Sequence, residues 1–255
     1  MSSTKQSGVN ARALSVVTAY AAALENCLSV GDLVGVYLTG SAVSGEFDEG
    51  VSDIDVLTVH RSCAEQLPGP ALGRLHHDLA MSLEWASRME VAYLPLPGLR
   101  PWGVQGHCLS WSAEGLRLGP SHAASDDVLA ARRHAVVVRG MPTGSVFPEV
   151  SEGLFLRQTQ EYLSDLLTRP APSGGEAAAD RIANIARCLQ RLATRQLGSK
   201  ATALRWWGER DTEVHEVVQA VVAARHGDVA AQQRCAQGLA LLIERATVTG
   251  AALAP

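Results

Sequence analysis

The stretch YLTGSAVSGEFDEGVSDIDVLTVH, Tyr37 to His60, decides the fold because it joins two predicted strands through a glycine-serine turn. The apolar run 33–40 and the alternating, β-branched run 52–60 each predict a strand. Asp53 and Asp55 lie two positions apart, so on a strand both side chains point to one face. Because burying carboxylates is costly without a compensating charge, the stretch predicts that a cation binds here.

The chemistry of this stretch points to phosphate transfer. Two carboxylates about 7 Å apart along a strand can share Mg²⁺, which prefers oxygen ligands. Gly40 lets a phosphate approach the backbone, and Ser41 with nearby N–H groups can donate to phosphate oxygens. If the predicted strand 88–96 pairs beside the aspartate strand, Glu90 faces the same metal as a third ligand or as a base. A phosphate turn beside paired carboxylates is typical of nucleotidyl or phosphoryl transfer.

The remaining pattern divides the chain near residue 150. The first half mixes the strands above with predicted helices at 11–29 and 69–86 and with a short strand or buried run at 134–140. The second half is a helical series, interrupted by the breaker-rich segment 170–179. The predicted helices of the second half are 152–169, 180–197, 199–210, 212–227 and 228–246, with Asp180 as a possible N-cap.

Composition excludes several classes of protein. The chain has 255 residues, 47% of them hydrophobic, and a net charge of −4, so a basic nucleic-acid footprint is absent. The five cysteines form no CxxC motif, which argues against zinc and against a disulfide framework. No window has the roughly 20 apolar residues of a membrane span, and no signal peptide is recognisable. We expect a soluble cytoplasmic protein without nucleic-acid or membrane partners.

At the level of whole motifs, the sequence resembles a known family. TGSAVSGEFDEGVSDIDVLTV (39–59) is similar to the signature of the polymerase-β-type nucleotidyltransferase superfamily. More closely, the chain resembles the aminoglycoside (3'')(9) adenylyltransferases, which modify streptomycin and spectinomycin. RMEVAYL (88–94) is similar to their third-carboxylate strand, and RRHAVVVRGMPTGSVFPEV (132–150) to their interdomain link. NIARCLQRLATRQLGSKATALRWW (184–207) is similar to a helix-turn-helix pattern of their C-terminal domain.

The resemblance implies a fold and a set of site residues. The fold would be an α/β nucleotidyltransferase domain, 1–150, with a mixed sheet and flanking helices, followed by an all-α helical bundle, 151–255, that binds substrate and closes over ATP. The residues it places at the nucleotide are Gly40, Ser41, Ser52, Arg187 and Lys200. The residues it places at Mg²⁺ are Asp53, Asp55 and Glu90, with Glu90 also acting as the catalytic base.

The acceptor site is less well defined by the resemblance. The family's aromatic residue after the third strand corresponds to Trp102 or Trp111. Family members that bind streptomycin have acidic residues before the helix of Arg187, and here only Glu176 and Asp180 lie nearby. These four residues are the candidates for binding a small cationic acceptor.

The resulting prediction is a monomeric, Mg²⁺-dependent enzyme that transfers AMP from ATP to an aminoglycoside-type antibiotic and releases pyrophosphate. Two alternatives stay open. The acceptor could be another small hydroxylated molecule or a protein. From a different class, the chain could be a nucleotide-binding regulatory module without turnover, although a positioned base such as Glu90 is of little use to such a module.

Overall fold

The protein consists of two compact units, residues 1–151 and residues 152–255. The structure, a computed structural model, describes residues 8–121 and 124–253. Each unit is described by itself below. Within the described residues, none of the helices combines the length and the apolar character that a membrane crossing needs.

The first unit is built on a mixed β-sheet. Its described strands are β1 (Leu33–Leu38), β2 (Ile54–His60), β3 (Met89–Pro95), β4 (Leu99–Arg100), β5 (Gly103–Val104), β6 (His107–Ser112), β7 (Gly115–Pro120) and β8 (Val136–Gly140). Its described helices are α1 (Ala11–Leu24), α2 (Ser41–Ser44), α3 (Gly69–Ser82), α4 (Ser125–His134) and α5 (Thr143–Val146). The main sheet has the order β7-β6-β3-β2-β1-β8. Strands β2 and β3 are parallel, whereas the other neighbours are antiparallel.

One face of the sheet is covered by α1 and α3. The apolar positions of α1 recur at helical spacing, and the Asn10 side chain caps the helix by accepting a hydrogen bond from the Ala13 N–H at 3.0 Å. Ile54 and Val56 of β2 point into the core on this face. Because side chains alternate along a strand, Asp55 points to the opposite face.

The opposite face carries a smaller core, which covers only part of the sheet. Val59 and Leu94, in the second halves of β2 and β3, are buried there against α4 and the segment that ends at Phe147. The first halves of the same strands stay partly open on this face, since Leu57 and Ala92 are only half-buried. This open end of the face is where Asp55 and Glu90 lie.

The second unit is helical. Its described helices are α6 (Glu152–Thr168), α7 (Gly175–Thr194), α8 (Lys200–Gly208), α9 (His215–Arg225) and α10 (Val229–Leu253). Helix α7 is the most buried, and its Ile182, Ile185 and Leu189 form one core with Trp207. The buried Arg181 side chain also stabilises this unit. It donates hydrogen bonds of 2.7–2.9 Å to the carbonyl oxygens of Leu166, Arg169 and Pro170 at the end of α6. These bonds satisfy carbonyl groups that the helix itself leaves unpaired.

Some local predictions were wrong. Helix α7 begins at Gly175 with Gly174 as its N-cap, so Asp180 lies inside the helix and does not cap it. The β6–β7 hairpin and α4 were missing from the predicted elements. The run 134–140, for which a strand or a buried run was predicted, is confirmed as a strand, the edge strand β8 (Val136–Gly140).

Candidate active site

The glycine-serine turn connects β1 to the short helix α2. The Thr39 N–H donates to the Asp55 carbonyl oxygen at 2.9 Å, which ties the end of β1 to the start of β2. Gly40 follows with φ +66° and ψ −148°, a backbone conformation that is essentially limited to glycine. Ser41 then opens α2, so the turn places its backbone N–H groups and hydroxyl directly beside the aspartate strand.

The side chain of Asp55 packs against Gly40. A Cβ atom at position 40 would lie 1.9 Å from Oδ2 of Asp55 and 2.8 Å from its carboxyl carbon. Glycine is therefore required here for two independent reasons, the positive φ and the close approach of the carboxylate. The phosphate turn and the metal-binding carboxylate of the sequence prediction thus meet at one point in the structure.

The parallel pairing of β2 and β3 brings two of the three predicted carboxylates side by side. Asp55 and Glu90 are register partners across the pair, as the sequence prediction required. Asp53 lies one residue before β2, which begins at Ile54, so it precedes the strand on which it was predicted. Asp53 and Glu90 are exposed, and Asp55 is half-buried. Hence Asp55 and Glu90 border the open end of one sheet face, and Asp53 lies in the loop just before it.

These residues fit a hard divalent cation in their chemistry. Carboxylate oxygens are the donors that Mg²⁺ prefers, and one or two of them usually suffice when substrate phosphates supply the rest. Within the residues that the structure describes, no three acidic, histidine or cysteine side chains are already gathered closely enough to hold a metal ion. Asp55 and Glu90 are neighbours at an open site, and ligands from a bound nucleotide would have to complete the coordination.

Ser52 lies in the loop that leads into β2. Its side chain is buried, and its Oγ accepts a hydrogen bond from the Asp48 N–H at 3.0 Å. The Ser52 N–H donates to the Asp48 carbonyl oxygen at 2.8 Å. The hydroxyl therefore shapes the loop, and its own proton is the group that could still donate to a phosphate.

The two candidate tryptophans lie in different environments. Trp102 is 50% exposed in the turn between β4 and β5. Trp111 pairs with Val91 and stacks on His76, with ring centroids 4.4 Å apart and ring planes 5° from parallel. Trp111 therefore packs on the α1/α3 face of the sheet, opposite to the face of Glu90, and acts as a packing residue there.

Three of the candidate residues of the helical unit, Glu176, Asp180 and Lys200, lie close together. Lys200 begins α8 and makes an ion pair with Asp180 of α7, whose carboxylate also accepts a hydrogen bond from the Asn184 amide at 3.0 Å. Glu176 and Asp180 line a shallow depression at the start of α7. Arg187 lies two turns further along the same helix and is half-buried.

One residue beside the site, Arg88, was not predicted from the sequence. Arg88 immediately precedes β3 and donates to the Ser52 carbonyl oxygen at 2.6 Å. Its position two residues before Glu90 was the only available signal, because the contact with Ser52 joins segments 36 residues apart.

Together these features define a class of protein. A glycine-serine turn is packed on a strand carboxylate, and a second carboxylate lies beside it on a parallel strand. A family model described as a nucleotidyltransferase domain matches residues 23–94, the segment that carries the turn and the carboxylates. The first unit is a nucleotidyltransferase domain, and the chain is a nucleotidyltransferase enzyme.

A solved structure is similar in fold over most of the chain. The fold is similar to that of the spectinomycin adenyltransferase AAD(9) from Enterococcus faecialis, solved with ATP and spectinomycin. The TM-score is 0.64 at 14% sequence identity, covering 90% of this chain and 98% of that chain. No curated protein matches the sequence. The likeness confirms the predicted fold class, an α/β domain with a mixed sheet followed by a helical part.

Proposed function

We propose that this enzyme transfers AMP from ATP to a hydroxyl group of an aminoglycoside-type antibiotic, such as streptomycin or spectinomycin, and releases pyrophosphate. The single observation that carries the proposal is the packing of Asp55 against Gly40 beside Glu90 in the register of β2 and β3. The solved structure with ATP and spectinomycin supports the choice of nucleotide and acceptor class, because its fold is similar.

Each residue near this point has a proposed role in binding. Gly40, Ser41 and Ser52 bind the nucleotide phosphates through backbone N–H groups and hydroxyls. Asp53 and Asp55, with Glu90, would hold Mg²⁺. When bound, Mg²⁺ would neutralise part of the triphosphate charge and help to orient it.

The proposed chemical step uses one base. Glu90 accepts the proton of the acceptor hydroxyl, whose oxygen forms a bond to the α-phosphorus of ATP. The bond between that phosphorus and the bridging oxygen breaks, so pyrophosphate leaves with the electron pair. Glu90 suits this role because it is exposed at the open end of the sheet, where an acceptor can reach it.

In the helical unit we propose that Arg187 and Lys200 bind phosphate oxygens of ATP. Their cationic groups counter a polyanion that Mg²⁺ only partly neutralises. The ion pair between Lys200 and Asp180 means that Lys200 must exchange one anionic partner for another when nucleotide binds. Glu176 and Trp102 are the proposed contacts for the acceptor. A cytoplasmic location and a monomeric state remain predictions.

The experiment that tests the proposal is pyrophosphate release from ATP and Mg²⁺, measured with and without streptomycin, spectinomycin and further aminoglycosides. We expect release that depends on one of these drugs, with a product heavier by one AMP in the mass spectrum. Chelation with EDTA should abolish the release. If only another hydroxylated small molecule or a protein accepts AMP, the antibiotic assignment is wrong. If no acceptor gives release while ATP binds, the regulatory alternative replaces the proposal.

A further inference from the structure

The loop between α2 and β2 is an ordered turn. We call residues 45–53 the acidic loop, because four of its nine residues are acidic. The Asp48 carboxylate accepts a hydrogen bond from the Gly50 N–H at 2.9 Å, and the Asp48 carbonyl oxygen accepts one from the Ser52 N–H at 2.8 Å. With the Asp48 N–H bound to Ser52 Oγ, both ends of the turn are fixed to each other. Asp53 is the last residue of this loop.

Arg88 ties the acidic loop to the strand that carries Glu90. One terminal nitrogen of its guanidinium donates to the Glu49 carbonyl oxygen at 2.5 Å, and the other donates to the Ser52 carbonyl oxygen at 2.6 Å. The second bond holds the peptide group that joins Ser52 to Asp53. Because Arg88 directly precedes β3, it connects the backbone before Asp53 to the backbone before Glu90.

Two aromatic rings keep the guanidinium of Arg88 in place. Its central carbon lies 5.3 Å from the ring centroid of Trp85 and 5.8 Å from that of Phe47. Phe47 belongs to the acidic loop and stacks on Trp85, with centroids 5.5 Å apart. Such cation–π contacts, together with two charge-assisted hydrogen bonds, restrict an otherwise flexible side chain.

We propose that Arg88 is a positioning residue for nucleotidyl transfer, which fixes Asp53 relative to Glu90 through the carbonyl oxygens of Glu49 and Ser52. The inference rests on the function proposed above, because it assigns Arg88 to the same site. Residues that hold the ligands of a metal typically change metal affinity or activity by about 10- to 100-fold when they are replaced.

The chain offers a matched control for Arg88. Arg12 lies at the same 5.3 Å from the Trp85 ring centroid, but it pairs with the exposed Glu49 side chain at 3.3 Å and makes no bond to Ser52. The variants Arg88→Met and Arg12→Met therefore remove the same kind of ring contact. Only Arg88→Met removes the bonds to the backbone of the acidic loop.

The first measurement is the hydrogen-exchange rate of backbone amides in the acidic loop, which does not require a catalytically active protein. In Arg88→Met we expect the amides of Gly50 and Ser52 to exchange about tenfold faster or more, because the loop loses two charge-assisted bonds. In Arg12→Met their rates should stay near those of the wild type. Equal exchange in the wild type and in folded Arg88→Met would overturn the proposal.

The second measurement is the Mn²⁺ affinity in the presence of ATP, determined by electron paramagnetic resonance. The Mg²⁺ concentration that gives half-maximal pyrophosphate release is measured alongside it. In Arg88→Met we expect the Mn²⁺ affinity to fall and the required Mg²⁺ concentration to rise, each by about 10- to 100-fold. The KM of the acceptor should stay unchanged, and Arg12→Met should behave like the wild type. Unchanged values in folded Arg88→Met would contradict the positioning role.

A conservative variant covers the case in which Arg88→Met does not fold. Arg88→Lys keeps the charge but not the forked pair of donors, so it should recover part of the Mn²⁺ affinity and lie between the other two proteins. A folded Arg88→Lys protein equal to the wild type in exchange and in Mn²⁺ affinity would refute the need for two donors. If the wild type itself neither binds Mn²⁺ with ATP nor releases pyrophosphate, the proposed function fails, and the exchange rates still decide whether Arg88 holds the loop.

Discussion

Acid should destabilise the nucleotidyltransferase unit through a buried histidine behind the site. His76 is 1% exposed and stacks between Trp111 and Tyr20, with ring centroids 4.4 and 5.4 Å away. Its Nε2 hydrogen-bonds the Tyr93 hydroxyl at 2.8 Å, and within the described part of the chain its Nδ1 has no hydrogen-bond partner. Protonation would therefore place a charge in an apolar core, and burial lowers the pKa of His76 from 6.5 to about 4.

The sign and size of the effect follow from this pKa. Between pH 6.5 and pH 4 the unfolded chain binds a proton at position 76 and the folded chain does not. The free energy of unfolding therefore falls as the pH drops through this window, and it is fully retained above pH 6.5. At pH 5 the loss from His76 alone is about 2 kcal/mol, which corresponds to about 4–8 °C in Tm.

The assay is chemical denaturation of the wild type and of His76→Phe at about pH 7.5 and about pH 5. Phenylalanine keeps a stacking ring and removes the titration, so the wild type should lose about 2 kcal/mol more than the variant on acidification. His60 is also buried and burial lowers its pKa, but it is present in both proteins and cancels in the difference. Parallel stability curves for the two proteins would refute the reasoning.

Three further predictions concern single side chains. Gly40→Ala should lower the free energy of unfolding by about 1–3 kcal/mol because of backbone strain. It should also lower kcat about a hundredfold because the new Cβ displaces Asp55, and a folded variant with wild-type turnover would contradict the close approach. Arg181→Met should destabilise the helical unit by about 2–4 kcal/mol in urea, since three carbonyl groups lose their donor. Asp180→Asn should lower the KM for ATP about two- to fivefold by releasing Lys200, and a raised KM would instead mark Asp180 as a nucleotide-binding residue.

Much of the site was accessible from the sequence because its determinants are local. The alternation around Ile54 predicted a common face for Asp53 and Asp55, although β2 begins at Ile54 and Asp53 precedes it. Gly40 between a strand and a short helix indicated a special turn. The pairing of Glu90 with Asp55 needed one further assumption, the adjacency of two strands, which the parallel register confirms. Residue type and period, together with that assumption, predicted the turn and the Asp55–Glu90 pair.

The features that the sequence did not reveal depend on contacts between distant segments. The sequence around Arg88 does not indicate its hydrogen bond to the Ser52 carbonyl oxygen. The face of Trp111 depends on its register with Val91, and a one-residue shift would have placed the ring on the side of Glu90. Helix α7 was predicted to start at Asp180 but starts at Gly175, because the glycines and small residues before Asp180 are typical of a loop. The alanines among them are nevertheless the best helix formers.

The most direct test of the central claim is pyrophosphate release by Asp55→Asn, compared with the wild type under saturating ATP, Mg²⁺ and acceptor. Asparagine has nearly the same shape, so packing against Gly40 is kept while the charge is lost. We predict a folded protein with activity reduced by about a hundredfold or more, because the proposed Mg²⁺ ligand is gone. A folded Asp55→Asn protein that released pyrophosphate at close to the wild-type rate would contradict the assignment of this site.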